Sequence, residues 1–329
     1  MKAGVLTKYG STDFLTVQEV RKPEPRDNEV LIKVFAASIN SWDWEILNGK
    51  PFINRLMVGL RKPTKIKILG CDIAGRIEAV GDGVKQFQPG DEVFADISRC
   101  GWGGFAEYVC VPASRNALAQ KPTSLTFEQA AAMPQAGVLA LQGLRQGKIE
   151  QARKVLINGA SGGVGSFAMP IAKSHDAEVT GVCRTDKMDF VHSLGADHAI
   201  DYTHEDFTRN GQQYDLILDV QGHHSVSDYR HALTHNGRYV MVGGAPGLLF
   251  QVMFLGSIIS VTSSKKMGLL LYKPDANDLD ILKGLVEDGK VTPIIDKCYS
   301  LNDVAEAFEY YGEGQVKGKI VIFVSQADR

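Results

Sequence analysis

Residues 154–173 read KVLINGASGGVGSFAMPIAK, and the rest of the chain is organised around them. Val155, Leu156 and Ile157 form the short apolar run that a buried parallel strand needs. The glycine-rich stretch 158–165 follows, and Phe167, Ala168, Ile171 and Ala172 then recur at helical spacing. A strand therefore feeds a tight turn that opens a helix. Ala160-x-Gly162-x-x-Gly165 is the Gly-x-Gly-x-x-Gly pattern with Ala in its first place. A small first residue permits the turn, Gly162 lets a pyrophosphate approach the backbone, and Gly165 lets the helix lie against the sheet. The free N–H groups and positive end of that helix then face the phosphates. Glycine-rich runs also occur in ordinary turns, but the strand before and the helix after favour a dinucleotide site.

Downstream the pattern alternates. Glu178–Cys183 reads as a strand, residues 187–193 as a helix stopping at Gly195, and Ala199-Ile200 as a short strand. Residues 214–220 are a strand, 225–234 a helix and 238–243 a strand. Such alternation predicts a doubly wound parallel sheet. Upstream, residues 1–122 hold short strands punctuated by Gly and Pro, which predicts a β-rich, barrel-like module. Residues 274–329 hold a helix, an extended stretch, a second helix and a last strand, expected to return to the first module. The expected division is thus 1–122, 123–273 and 274–329.

At 329 residues the chain can hold two domains. Its net charge of −2 makes no electrostatic case for nucleic acid or an anionic membrane. Five scattered cysteines without a Cys-x-x-Cys argue against a disulfide framework or zinc ribbon, and fit a reducing, cytoplasmic setting. The opening MKAGVLTKYG reads as a first strand and not as a signal peptide. The apolar stretch 248–261 is too short and too interrupted to span a bilayer, and reads as a buried or interface strand.

The second strand of a dinucleotide-binding unit ends near the adenosine ribose, where an acidic residue selects NAD. Here it ends Val182-Cys183-Arg184-Thr185. Arg184 offers a charged fork suited to a 2′-phosphate, which predicts NADPH. Asp186 is the rival, but it lies further on, where the next helix begins. The plain alternative for Arg184 is an exposed surface cation.

Several stretches together resemble a known family. They are residues 37–43 (ASINSWD), 70–75 (GCDIAG), Val80-Gly81, 89–93 (PGDEV), 103–108 (GGFAEY), 160–165 (ASGGVG), 194–197 (LGAD) and 318–321 (GKIV). Over nearly its whole length the chain resembles a medium-chain dehydrogenase/reductase of the zinc-independent, quinone oxidoreductase-like branch. The resemblance implies an α/β protein with a GroES-like β-rich catalytic domain and a Rossmann domain, and a cofactor in the cleft between. It implies a homodimer formed through an edge strand near residues 250–261. It puts Asn40 where zinc-containing relatives carry a first metal-binding cysteine, and Cys71-Asp72 where they carry His-Glu. With one lone thiol there, no zinc is expected. It also implies that Asn40 and residues from Pro134 to Leu139 line the nicotinamide side. Ser161, Gly162, Gly163 and Val164 would hold the pyrophosphate. Arg184, Thr185 and Tyr202 would flank the adenosine phosphate, and Val242, Gly243 and Gly244 would lie beneath the nicotinamide ribose.

Without a Lewis acid, plain alcohol oxidation is harder, whereas reduction of a polarised acceptor remains feasible. The expected substrate is a quinone or an α,β-unsaturated carbonyl. Asn40 is the candidate donor to the carbonyl oxygen, where negative charge develops. The plain alternative is that Asn40 braces its loop. The rival functions are a zinc-free alcohol dehydrogenase and a non-catalytic NADPH-binding sensor or scaffold. His224, Asp228, His231 and His235 fall at near-helical spacing, so metal ligation there is conceivable, but His235-Asn236-Gly237 reads as the helix end.

Overall fold

The structure is a computed structural model that describes residues 1–113 and 118–325. Residues 114–117 and 326–329, inside the expected first and last modules, lie outside the described residues. The chain divides into two units: 1–138 with 274–287 and 293–329, and 139–273 with 288–292. The C-terminal segment thus belongs with the first unit. The first unit reaches past the expected boundary at 122, because the helix Phe127–Ala131 packs on the first unit's sheet. The Phe127 ring lies 4.6 Å, centroid to centroid, from that of Phe35. Thr126 caps this helix by accepting the N–H of Gln129 at 3.2 Å.

The second unit holds a parallel sheet in the spatial order His198–Asp201, Glu178–Cys183, Lys154–Asn158, Tyr214–Asp219, Leu233–Met241, Lys266–Leu269. Lys154–Asn158 and Tyr214–Asp219 lie side by side, although two strands separate them in sequence. Their C-terminal ends therefore mark the switch point at which open α/β sheets bind ligands. Val155, Leu156, Ile157, Leu216, Ile217 and Leu218 are fully buried, which accounts for their unbroken apolar run.

The first unit is built on a mixed sheet. Ile295–Ser300 pairs in parallel with Lys319–Phe323, which runs antiparallel to Glu29–Ser38. Antiparallel pairing then continues through Asp72–Val80, Glu92–Asp96 and Leu118–Gln120, and Tyr108–Pro112 also pairs with Glu29–Ser38. The buried residues of these strands build a core around Ile32, Val34, Ile73, Phe105, Phe308 and Ile320.

Two expectations are overturned. Residues 246–262, whose apolar part reads as an interface strand, form a continuous helical stretch with a π-helical turn at Val252–Gly256. Phe250, Met253, Phe254, Ile258 and Val261 recur at helical spacing and are exposed, while Leu248 and Val252 supply the buried face. The edge strand at that end of the sheet is instead Lys266–Leu269, the other edge being His198–Asp201. The helix Val226–Ala232 also ends earlier than expected, because the next strand already starts at Leu233. His224 precedes that helix and His235 follows it, so the four residues do not share a helix face.

Candidate functional site

In the second unit, strand Lys154–Asn158 runs into the helix Gly163–Lys173. Gly162 caps the helix without a side-chain hydrogen bond. Gly162, Gly163 and Val164 are partly exposed, while Ser161 and Gly165 are buried. The cap thus leaves the first-turn N–H groups without a side-chain acceptor, as an anion site requires. Gly165 cannot be replaced cheaply: a Cβ there would sit 2.3 Å from Gly159 O and 2.4 Å from Ala160 O. At Gly162 the nearest atom would be 3.6 Å away, so this glycine leaves open space above the turn. The helix continues through Pro170, for which the structure offers no functional explanation.

Around this turn the strand ends carry polar groups. Asn158 Nδ2 donates to Asp219 Oδ1 at 2.8 Å across the switch point, and Tyr239 donates to Asp219 Oδ2 at 2.7 Å. Burial pushes the Asp219 carboxyl up, against the pull of these donors. Arg184 stands at the end of strand Glu178–Cys183, and the neighbouring Tyr202 N–H donates to Cys183 O at 3.1 Å. The Arg184 guanidinium makes a two-pronged pair with Asp186, at 2.5 and 2.8 Å. Asp186, the rival for the 2′-position, thus already holds the fork expected to meet a phosphate. The Thr185 hydroxyl donates to Asp201. Val242 N and Gly243 N both donate to Asp219 O, at 2.7 and 3.2 Å, and Gly244 bridges to Gly222.

In the first unit, Asn40 precedes the helix Ser41–Asn48 and is buried. Its Nδ2 donates to Asp72 Oδ2 at 2.9 Å and to Cys71 Sγ at 3.3 Å. Its Oδ1 accepts from Lys319 Nζ at 2.5 Å. The Asn40 amide is therefore committed to three protein partners. Asp72 also accepts the N–H of Gln135 at 2.9 Å and the Ser38 hydroxyl at 3.2 Å. Lys319 Nζ lies 3.6 Å from Asp72 Oδ2 and donates to Ile39 O at 3.1 Å. Gln135 Nε2 approaches Cys71 Sγ to 3.5 Å. Pro134 opens the helix Pro134–Gln146 that presents Gln135; Leu139, further along it, is half-buried and starts the second unit.

Burial dominates the electrostatics. It pushes Asp43 up to about 7, although the N–H groups of Asn40 and Gly70 pull the other way. It pushes Asp72 up to about 6 against the attraction of Lys319. Burial and the nearby carboxylates hold the Cys71 thiol well above its ordinary range, so it stays protonated at neutral pH.

Among the described residues, Cys71, Asp72 and Asp96 form the group whose ligand atoms converge, within 4.8 Å of one another. The donor set does not fit a zinc ion. The group offers one sulfur and two carboxylates with no imidazole, the side chains of Asn40 and Gln135 already donate to Cys71 Sγ, and Lys319 Nζ lies 3.6 Å from Asp72 Oδ2. Sequence reading misses Lys319, Asp96 and the part played by Gln135. Lys319 has a signal: it begins an apolar strand that buries it, where an unpaired lysine is rarely tolerated.

Comparison with known proteins finds relatives along nearly the whole chain. Residues 26–123 match the alcohol dehydrogenase GroES-like domain and residues 194–322 the zinc-binding dehydrogenase model. The chain is 33% identical to the chloroplast envelope quinone oxidoreductase homolog of Arabidopsis thaliana, over 92% of each chain. It is 32% identical to that plant's NADPH-dependent alkenal/one oxidoreductase, covering 98% of this chain and 79% of the relative. It superposes on the quinone oxidoreductase from Coxiella burnetii with a TM-score of 0.86, at 30% identity and 99% coverage of both chains. With a mixed β unit carrying the Asn40 cluster and a parallel-sheet unit carrying the glycine turn, the chain belongs to the medium-chain dehydrogenase/reductase family, in its quinone oxidoreductase-like branch.

Proposed function

We propose that this protein is an NADPH-dependent reductase that transfers hydride to a quinone or an α,β-unsaturated carbonyl without zinc. The observation that carries the reading is the Asn40 cluster, in which two amides, a thiol and the Lys319 ammonium stand together. Lys319 offsets the Asp72 carboxylate there, and the two amides bring N–H donors to a weak sulfur acceptor, which suits an acceptor whose oxygen gains negative charge. The names of the relatives support the same substrate class.

When bound, NADPH supplies the hydride. The turn at Gly162, Gly163 and Val164 would hold its pyrophosphate, Arg184, released from Asp186, would hold its 2′-phosphate, and Thr185 and Tyr202 would flank that phosphate. Val242, Gly243 and Gly244 would support the nicotinamide ribose, and Pro134 and Leu139 would line the ring. Of the Asn40 amide hydrogens, the one on Cys71 Sγ is held more weakly, since thiol sulfur is a poor acceptor. That hydrogen turns to the acceptor oxygen as charge builds there. An enone takes hydride at its β-carbon and a proton at its α-carbon; a quinone takes hydride and a proton to give the hydroquinone. Water supplies the proton. Asn40→Ala tests the assignment: turnover of a good acceptor falls at least tenfold with little change in the NADPH dissociation constant, and unchanged turnover refutes it.

The reading extends to assembly and place. The exposed stripe Phe250, Met253, Phe254, Ile258 and Val261, on the helical stretch that precedes the edge strand Lys266–Leu269, supports a homodimer. Sedimentation of a Phe254→Glu variant as a monomer, and of the parent as a dimer, checks this. Free thiols at Cys71, Cys100, Cys110, Cys183 and Cys298 support a reducing compartment such as the cytoplasm. Among the described residues, no helix is long and apolar enough to cross a membrane.

A further inference from the structure

The helix Phe52–Val58 is turned inside out. Asn54 and Val58 supply its buried side, while Phe52, Ile53, Leu56 and Met57, with Leu60 just beyond, are each more than half exposed. Phe52, Ile53, Leu56 and Met57 fall on one helical face, at i, i+1, i+4 and i+5, and Leu60 follows the helix end at Gly59. A face left to water is ordinarily polar, and a cluster of large exposed apolar side chains marks a surface that binds something. The charges around it are one-sided. Residues 49–69 contain Lys50, Arg55, Arg61, Lys62, Lys65 and Lys67 and no acidic residue, in a chain whose net charge is −2. Lys50, Arg61, Lys62, Lys65 and Lys67 are exposed, and no ion pair involves them among the described residues. The whole-chain charge, which makes no case for an anionic membrane, averages this segment away.

We propose that residues 50–67 dock the protein peripherally on an anionic lipid bilayer, with Phe52, Ile53, Leu56, Met57 and Leu60 entering the interface and the lysines and Arg61 meeting the headgroups. The combination selects the occupant. A second copy of this face would set like charges against each other around a two-fold axis. A polyanion such as nucleic acid would engage the cations and leave the apolar face in water. A bilayer with acidic headgroups satisfies both, as it does for interfacial amphipathic helices with basic flanks. This docking is independent of the catalytic reading: it holds whether or not the chain reduces quinones.

The test is co-sedimentation of the purified full chain with lipid vesicles, at low and high salt. Phosphatidylcholine vesicles containing about one-third phosphatidylglycerol are compared with phosphatidylcholine alone, since acidic lipid is what attracts basic segments. The protein is expected to partition onto the acidic vesicles at least fivefold better, and to lose that advantage at high salt. Phe52→Ser with Leu56→Ser, and separately Lys62→Glu with Lys65→Glu, each lower the partition at least fivefold, whereas Leu271→Ser, at an exposed apolar position of the second unit, does not. Because all these side chains are exposed, the variants keep the parent's unfolding temperature. As a second readout, a Leu56→Trp variant shows its fluorescence quenched by brominated acyl chains. Failure to bind acidic vesicles overturns the proposal. So does binding indifferent to Phe52 and Leu56, which indicates a polyanion site, or a Phe52→Ser with Leu56→Ser effect confined to the Michaelis constant of a soluble acceptor.

Discussion

Lys319 Nζ, at the start of the strand Lys319–Phe323, donates to Asn40 Oδ1, 279 residues away in sequence, and lies 3.6 Å from Asp72 Oδ2. Lys319 is 3% exposed and Asp72 0%. The last strand of the chain thus supplies a buried cation beside the first unit's amide and carboxylate. Removing one partner of such a pair leaves the other charge buried and unpaired. Lys319→Met is therefore expected to cost about 3–5 kcal/mol of stability, and adding Asp72→Asn to recover part of it. Denaturant unfolding of the three proteins measures this, and equal losses in the single and double variants would contradict it.

The same cluster makes a prediction about pH. The folded-state values of Asp43 and Asp72 lie above the ordinary carboxylate range, at about 7 and about 6. A raised carboxyl contributes its stability in full below its unfolded value, near 4, and loses it as the pH rises through the folded value. The Asp43→Asn variant has no titrating group at that position. The unfolding temperature of the parent minus that of Asp43→Asn is therefore expected to fall from pH 5 to pH 8, and a constant difference would refute the assignment.

Two glycines in one turn have different jobs, and an alanine at each separates them. Gly165→Ala puts a Cβ 2.3 Å from Gly159 O and is expected to destabilise the second unit by about 1–3 kcal/mol. Gly162→Ala meets nothing nearer than 3.6 Å, so the protein is expected to fold normally, but the methyl would stand where the proposed pyrophosphate approaches. Its NADPH affinity falls at least tenfold at unchanged thermal stability. Calorimetric titration together with thermal unfolding reads both quantities.

In the function proposed above, Arg184 and Asp186 set the nucleotide preference. Arg184→Ser is expected to weaken NADPH about tenfold to a hundredfold, the scale of a lost charge-assisted contact, and to leave NADH unchanged. Asp186→Asn frees the fork from its two-pronged partner and strengthens NADPH. Equal weakening of both nucleotides by Arg184→Ser would place that residue away from the 2′-position.

The sequence discloses whatever is local. Strand, glycine turn and helix at 154–173 are contiguous, and the alternation after them carries the parallel sheet with it. Arg184 can be placed because a strand end is a local feature. Residues 246–262 mislead because their β-branched, apolar composition outweighs their spacing; Phe250, Met253, Phe254, Ile258 and Val261 already stand at helical intervals. The Lys319–Asn40–Asp72 contact is not legible, since it depends on pairing the last strand with Glu29–Ser38, and no periodicity reports a partner so distant. The commitment of the Asn40 amide to three protein groups is hidden for the same reason.

The most direct measurement is NADPH consumption by the purified protein, followed optically with a panel of quinones, enones and simple alcohols or ketones, with its metal content determined on the same sample. Consumption with quinones or enones, little turnover of alcohols and ketones, and no stoichiometric zinc is the expected result. Tight NADPH binding without turnover of any acceptor, or activity that tracks bound zinc, would contradict it.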